Sequence, residues 1–492
     1  MTLLHLRGSQ NTAPVSFDRW FLRAMTRAIT AVLTAFLCAM PVVAMPVAAM
    51  AHEAAGGFIL LMPTEIYIFG AGLAVLASFL ILAIVPAARF HRLFALEGRA
   101  ISTAPRRIPT APLSLLSLGF TLFLLYAALA GSDDPLTNPI TLGVWTLGWI
   151  VLSVATVVFG TLWPWLNPWT GLLQVLGLGK RPILTLPKQI GFGVALVQMF
   201  YLVWIDLISL YATDPEALFV HVLWFLVLNG FGMILFGTAE WTRRAEPLHV
   251  LFALLAILSP FCTQGGKLRL VFPGARVLRD APLSLSASAF VIFMLASGTF
   301  DGVSSTFKWL QLLGVNPLDF HGRSSVMWPN SLGLVGAFVL VALVFCSAIW
   351  LGGCIAQSTV SFAELAGRCV YTLVPIYVAY MLSHFATRLI MDAQYLWIVL
   401  SDPLHKGWDI FGTAHGHPSQ SMFNTESGIH LIWAFQTGVI TLGHIVAVFM
   451  AHAVALDTHR RPRDAVLGQV PLALLMVGYT SLGLWLLAAP RL

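Results

Sequence analysis

Long apolar runs recur along most of this chain of 492 residues, and polar residues gather in the short stretches between them. About 20 consecutive apolar residues span the hydrocarbon core of a bilayer as an α-helix. The pattern therefore predicts an all-α polytopic membrane protein with about ten transmembrane helices. We place the spans at residues 58–86, 113–131, 140–163, 190–212, 217–236, 284–300, 331–354, 368–388, 429–455 and 467–488.

A further apolar segment, residues 249–262, is too short to cross a bilayer comfortably, and Pro260 closes it. A basic stretch follows it at once. We interpret this segment as one additional interfacial or re-entrant helix.

The first 51 residues have the pattern of an export signal. Arg19, Arg23 and Arg27 precede an apolar run, and Ala49-Met50-Ala51 fits a small-x-small cleavage site. We interpret residues 1–51 as a signal peptide or an uncleaved signal anchor, and residues 52–492 as a single integral membrane domain.

Composition and charge support this picture and orient it. The chain is 58% hydrophobic and only 10% charged, which excludes an ordinary soluble domain. Of its 27 Lys and Arg residues, four precede residue 52, 18 lie in loops predicted to be cytoplasmic, and five lie outside. Positive residues favour the cytoplasmic side, so the protein is predicted to be a multi-pass protein of the bacterial inner membrane. Its mature N-terminus, its C-terminus and the loops 301–330 and 389–428 are then periplasmic.

Ionisable residues within the predicted spans gather near their outer ends. Such residues are rare inside a bilayer and are usually functional. Six spans each contribute one residue at about the same level, namely Glu65, Asp206, His221, Asp301, His384 and His430.

The segment HFATRLIMD places His384, Arg388 and Asp392 at intervals of four residues. A continuous helix would present all three on one face. We predict that Arg388 and Asp392 form an ion pair, which leaves His384 as a metal ligand or a base. An interfacial ion pair with a bystander histidine is the alternative.

The loop SDPLHKGWDIFGTAHGHPSQ, residues 401–420, is unusually polar for this chain. On an extended backbone the side chains of His415 and His417 point the same way, so both could reach one ion. Three protein ligands and an open position suit a hydrolytic zinc site. We predict metal ligands and catalytic residues here and in the neighbouring spans, with a solvated loop as the alternative. The predicted ligands are His384, Asp392, His415, His417 and His430, and the predicted catalytic residues are Arg388, Asp402 and Asp409.

The ninth span carries a polar stripe of His430, Thr437, Thr441, His444 and His452 within about 40° of one helical face. The stripe is compatible with a proton or ion path, with a cofactor wall that holds copper or haem, or with an inward-packed face.

Several segments resemble a family of bacterial polytopic membrane proteins, some of which are labelled fenitrothion hydrolase. They are AHEAAGGFILLMPTEIYIFGAGLAVLASFLILAIVP, LWPWLNPW, LSHFATRLIMDAQYLWIVLSDPLHKGWDIFGTA and LGHIVAVFMAHAVAL. The resemblance covers nearly all of the mature chain and is strongest at 380–456. It implies hydrolysis of an organophosphorus triester, and no residue roles are carried over from the family.

From these patterns we predict a periplasmic-face hydrolase of fenitrothion-like aryl dialkyl thiophosphates, assisted by a divalent metal, zinc in the first place. Its partners would be membrane lipid and an apolar small-molecule substrate, not nucleic acid. Two other hypotheses stay open at this point: a transporter or channel with a polar intramembrane path, and a redox subunit that binds copper or haem.

Overall fold

The computed structural model describes residues 64–95, 98–103, 109–316 and 323–489, and the predicted signal segment 1–51 lies outside this part of the chain. The described residues are mostly helical, as predicted, and nine of their helices are long and apolar enough to cross a membrane. These nine helices are α1 (Thr64–Ile84), α3 (Thr110–Ala130), α4 (Pro139–Phe159), α8 (Pro215–Phe236), α11 (Leu285–Ser304), α13 (Arg323–Ile355), α14 (Phe362–His384), α16 (Glu426–Thr458) and α17 (Pro462–Ala488).

Shorter helices complete the chain order. The first group is α2 (Ala87–Leu93), α5 (Trp163–Leu166), α6 (Thr170–Leu176), α7 (Gly193–Leu207) and α9 (Thr238–Arg244). The second group is α10 (Pro247–Leu258), α12 (Phe307–Leu312) and α15 (Ala386–Ser401). Such apolar helices are compatible with a multi-pass membrane protein.

Nine of the ten predicted spans coincide with long helices. The fourth, predicted at 190–212, is the 15-residue helix α7, which is shorter than a full bilayer crossing. Gly191 adopts a positive φ of 54° just before it, and Ile208 caps its end, so the helix is shorter than the predicted apolar run at both ends. The segment predicted as interfacial or re-entrant is the short apolar helix α10.

The loops contain more regular structure than the sequence patterns predict. Helix α15 occupies the first part of the predicted loop 389–428, and α12 lies within the predicted loop 301–330. The chain is also not purely α-helical, because β1 (Arg99–Thr103), β2 (Phe261–Gln264) and β3 (Lys267–Leu270) form a small antiparallel sheet in the order β1-β3-β2. Gly265 and Gly266, both at positive φ, make the two-residue hairpin turn between β2 and β3.

Helix α14 lies at the centre of the bundle, where it packs against α16 and α11. Helices α13 and α17 lie farther from the centre. Most of α14 is buried inside the protein, and so is two thirds of α11. Polar groups on the buried faces of these two helices therefore contact other side chains of the protein.

Helices α13 and α17 approach each other backbone to backbone at a pair of glycines. A Cβ atom added at Gly352 would lie 2.1 Å from the carbonyl oxygen of Gly468. Small residues allow this close contact between apolar helices. The next residue, Gly353, has its nearest neighbour, Leu365 Cδ2, at an ordinary 3.7 Å.

We expect the substitution Gly352→Ala to destabilise the protein by about 1–3 kcal/mol, because it forces the two helix backbones apart. Gly353→Ala adds the same methyl group without a clash and improves helix propensity, so its unfolding temperature should be unchanged or higher. Thermal unfolding of both variants in detergent tests this. Equal unfolding temperatures would contradict a tight contact at Gly352.

Candidate functional site

A polar cavity of about 410 Å³ lies where α7, α11, α13 and α14 come together. Four of its lining residues are ionisable, which is unusual between apolar helices. They are Asp206, Asp301, His384 and Arg388. Amide and hydroxyl side chains add further hydrogen-bonding groups, namely Asn316, Asn330, Ser304 and Ser305.

The centre of the cavity is a histidine–aspartate pair between α14 and α11. His384 Nε2 lies 2.9 Å from Asp301 Oδ2, and each side chain is about 19% exposed. The Tyr380 hydroxyl donates a hydrogen bond to the same carboxylate oxygen. Tyr380 and His384 are one helical turn apart, and their rings stack with centroids 5.1 Å apart. Two side chains from one face of α14 thus contact the same oxygen of Asp301.

A glycine on α11 makes this arrangement possible. A Cβ atom at Gly298 would lie 2.6 Å from Tyr380 Cδ1, so only glycine lets the ring approach α11 this closely. Gly298 precedes Asp301 by three residues, and residues three apart lie on the same face of a helix. The sequence GTFD on α11 therefore provides both the space for Tyr380 and the acceptor for its hydroxyl.

A second ion pair borders the cavity. Arg388 Nε lies 3.3 Å from Asp392 Oδ2, as the four-residue spacing on α15 predicts. The Thr146 hydroxyl donates to the same oxygen of Asp392. Thr146 lies on a ten-residue π-helical segment of α4, Leu142–Val151, and π-helical turns are frequent at functional sites.

The predicted continuous helix through HFATRLIMD is wrong. Helix α14 ends at His384, and Phe385 adopts a φ of −89° and a ψ of 5°, which ends the helix before α15 begins. His384 and Arg388 nevertheless both line the cavity. Asp392 does not line the cavity and is connected to it through its ion pair with Arg388.

The other predicted metal ligands lie elsewhere. His415 and His417 are exposed loop residues, and neither lines the cavity. His430 Nε2 lies 3.8 Å from Glu426 Oε1, one turn earlier on α16, and its side chain is 46% exposed. The structure therefore brings His384 and Arg388 into one cavity and pairs Arg388 with Asp392, but it does not gather the five predicted ligands.

Asp402 and Asp409, predicted to be catalytic, serve as hydrogen-bond acceptors within their own loop. Asp402 accepts from the backbone N–H groups of Lys406 and Gly407, and Asp409 accepts from that of Ala414 and from the Ser401 hydroxyl. Gly407 and Gly412, at φ of 80° and 70°, make the tight turns that this requires.

These hydrogen bonds affect the acidity of both carboxyl groups. Burial alone would raise the pKa of Asp402, but the backbone donors outweigh it and lower that pKa below its usual value. The N–H of Ala414 and the hydroxyl of Ser401 likewise lower the pKa of Asp409. Both carboxylates are therefore weak bases at neutral pH, and their contacts organise the loop.

The polar stripe on α16 divides into an exposed end and a buried end. His444 and His452 are almost completely buried. His444 Nδ1 lies 2.9 Å from the carbonyl oxygen of Ile440, and His452 Nδ1 lies 3.3 Å from Gln469 Oε1. These contacts fit an inward-packed face, and the proton-path and cofactor hypotheses stay predictions.

The cavity does not fit a conventional metal site. Asp301 and His384 bond to each other, and the described residues contain no group of three or more His, Cys, Asp or Glu side chains arranged to hold a metal ion. Structural and catalytic zinc sites require at least three protein ligands. The zinc site predicted from the sequence therefore stays a prediction.

Sequence reasoning noticed Asp206 and Asp301 as intramembrane acids but did not assign them to the site, and it missed Tyr380 and Asn330. A signal for Tyr380 was present, because Tyr380 and His384 are spaced one turn apart on a buried helix. The pairing of this face with Asp301 depends on a contact between residues 79 or more positions apart, which no local pattern specifies.

Comparisons of the chain with protein-family models, with curated proteins and with solved structures find no match.

We expect Asp409→Ala to loosen the loop after α15. The backbone N–H of Ala414 and the hydroxyl of Ser401 would both lose their hydrogen-bond acceptor. Chymotrypsin should then cut the loop at Trp408 or Phe411 several times faster than in the parent protein. Lys406→Ala, in the same loop, keeps the backbone N–H that donates to Asp402, so it is the matched control and should leave the cleavage rate unchanged. Equal resistance of all three proteins would show that Asp409 does not organise the loop.

Proposed function

We propose that this protein is a membrane-bound hydrolase of apolar organophosphorus triesters, with Asp301 and His384 at its reaction site. The observation that carries the proposal is an imidazole paired with a carboxylate beside a guanidinium, in a cavity between apolar helices. The substrate class comes from the resemblance to the family in which some members are labelled fenitrothion hydrolase.

We further propose that the cavity faces the periplasm. Gln436 Nε2 on α16 donates to the carbonyl oxygen of Ser383, next to His384, whereas Phe449 on the same helix stacks on Phe272, just after strand β3. About 13 residues of helix separate these two contacts, or about 20 Å. The basic β2–β3 hairpin and the cavity therefore belong to opposite ends of the bundle, and basic segments favour the cytoplasm.

In this orientation α7 acts as the fourth crossing despite its length, and the chain has the ten-span topology predicted from its sequence. The mature N-terminus and the C-terminus are then periplasmic, in the inner membrane of a bacterium. A lipophilic triester dissolved in the bilayer lies close to such a cavity.

His384 would act as the general base. Its Nε2 lies 2.9 Å from Asp301 Oδ2, and in the proposed tautomer Nε2–H donates to that carboxylate and Nδ1 is the proton acceptor. A water molecule at Nδ1 attacks phosphorus, and its proton passes to the imidazole. The bond from phosphorus to the aryloxide oxygen breaks, and the nitrophenolate leaves with the electron pair. Asp301 stabilises the imidazolium that forms, as the aspartate of a catalytic triad does.

Arg388 would stabilise the developing charge on the phosphoryl or thiophosphoryl group. It lines the cavity, and its contact with Asp392 uses Nε. A fixed guanidinium in a site with little water is effective at stabilising transition-state charge. No step of this reaction passes through a metal, and a divalent ion held with help from His415 or His417 remains a separate prediction.

We expect Asp301→Asn and His384→Gln each to lower kcat for nitrophenol release by roughly 100-fold or more, the usual loss when a general base is removed or misoriented. The assay uses membranes that contain equal amounts of inserted protein and a fenitrothion-type substrate.

His91→Gln, at an exposed histidine of α2 outside the cavity, is the matched control for these variants and should keep full activity. Full turnover by His384→Gln would contradict the proposed role of the pair. Absence of nitrophenol release by the parent protein, verified as folded, would contradict the hydrolase itself.

We expect turnover to survive treatment with a metal chelator, because the Asp301–His384 pair supplies the base without a metal ligand. The same membranes are assayed before and after chelation and after addition of zinc. Loss of activity that zinc restores would instead support the ligand set predicted from the sequence.

A further inference from the structure

An apolar groove of about 720 Å³ lies between α11, α13, α14 and α17, and the proposed reaction does not use it. Its edges carry Leu340 and Leu474, which are 62% and 61% exposed, and its floor is formed by buried residues such as Met476. Two polar side chains lie in the wall, Thr299 and Tyr479, and their hydroxyl groups bond to each other. The groove is therefore suited to an apolar molecule and opens at the outside of the bundle.

The groove and the polar cavity are neighbours along α13. Val326 and Asn330 line the cavity, and Gly333, Ala337 and Leu340 continue the same helical face into the groove. Residues at these three- and four-residue intervals form one stripe. The two spaces therefore succeed each other along α13, with Asn330 and Gly333 at the boundary.

Two aromatic rings lie in the groove near this boundary. Phe300 and Trp309 pack edge to face with centroids 5.5 Å apart, and both rings line the groove. Trp309 Nε1 donates to Asn330 Oδ1, whose side chain lines the cavity. A Cβ atom at Gly333 would lie 2.5 Å from Phe300 Cε2, so this glycine lets the rings close against α13.

We propose that the groove admits the lipophilic substrate from the bilayer and that the Phe300–Trp309 pair separates it from the cavity. This inference rests on the proposed function and assigns its substrate path. The occupant is an apolar triester with an aryl group, because one molecule then presents carbon to the groove and a polar phosphorus centre to the cavity. A volume of about 720 Å³ is in the range of sites for small organic ligands.

Gly336 offers a direct way to block the path. It lines the groove, and a Cβ atom there would meet no other atom within 4 Å, so Gly336→Leu fills open space without a clash. Gly119 on α3 is equally unobstructed and exposed outside the groove, so Gly119→Leu is the matched control.

The test compares two nitrophenyl triesters, one lipophilic and one freely soluble in water. We expect Gly336→Leu to reduce kcat/KM for the lipophilic substrate by roughly tenfold or more, mainly through KM, because uniform binding is lost. The water-soluble substrate, which reaches the cavity from its aqueous side, should be hydrolysed at the parent rate. Equal losses on both substrates, or no loss on either, would overturn the proposal.

A binding measurement separates failure of the path from failure of the hydrolase. A non-hydrolysable nitrophenyl phosphonate quenches tryptophan fluorescence, and the difference between the parent and Trp309→Phe isolates the signal of Trp309. We expect this quenching to be lost in Gly336→Leu and kept in Gly119→Leu, even if no triester is hydrolysed. Quenching that persists in Gly336→Leu would overturn the proposal. In a second measurement, a brominated phospholipid is bound in the groove first, and failure of the phosphonate to displace it would also overturn the proposal.

Discussion

The carboxylate of Asp301 is the group around which the functional end of this bundle is organised. A carboxylate between apolar helices is costly unless hydrogen-bond donors surround it, and removing one partner of a buried pair typically costs about 3–5 kcal/mol. Tyr380 and His384 supply donors from successive turns of α14. That requirement brings α14 close to α11 at Gly298 and fixes the orientation of the imidazole. The contacts that stabilise the carboxylate are thus the same contacts that prepare a base.

The π-helical segment of α4 extends this organisation to the next helix. Thr146 lies on that segment and holds Asp392, which in turn holds Arg388 at the edge of the cavity. Trp149, on the same segment, lines the small pocket beside Asp206 and Asp301. The π-helical segment therefore supports both the guanidinium of Arg388 and, through Trp149, an apolar wall of the site. This double role is a reason for so long a π-helical segment inside an otherwise regular α-helix.

Long helices were predictable because a bilayer demands apolar runs of a certain length, and that signal is local. The ion pair between Arg388 and Asp392 was predictable for the same reason, since helical spacing alone brings them together. The helix break at Phe385 and the helix α15 have no comparable signature. The pairing of Asp301 with His384 was not predictable, because it is decided by packing between helices whose apolar surfaces look alike. Asp402 and Asp409 accept hydrogen bonds within their own loop, and the sequence does not distinguish this role from catalysis, because turn-forming aspartates and catalytic aspartates occur in similar sequences.

The glycine contact between α13 and α17 has a mechanical consequence. Backbone touches backbone at Gly352 and Gly468, whereas further along the same two helices leave an open groove between them. The helices therefore resemble two arms joined at a pivot. Gly336 lies 16 residues from Gly352, or about 24 Å along the helix, so a tilt of about 5° at the pivot would move this part of α13 by about 2 Å. Motion of that size is about half the van der Waals width of a methyl group and leaves every helix intact.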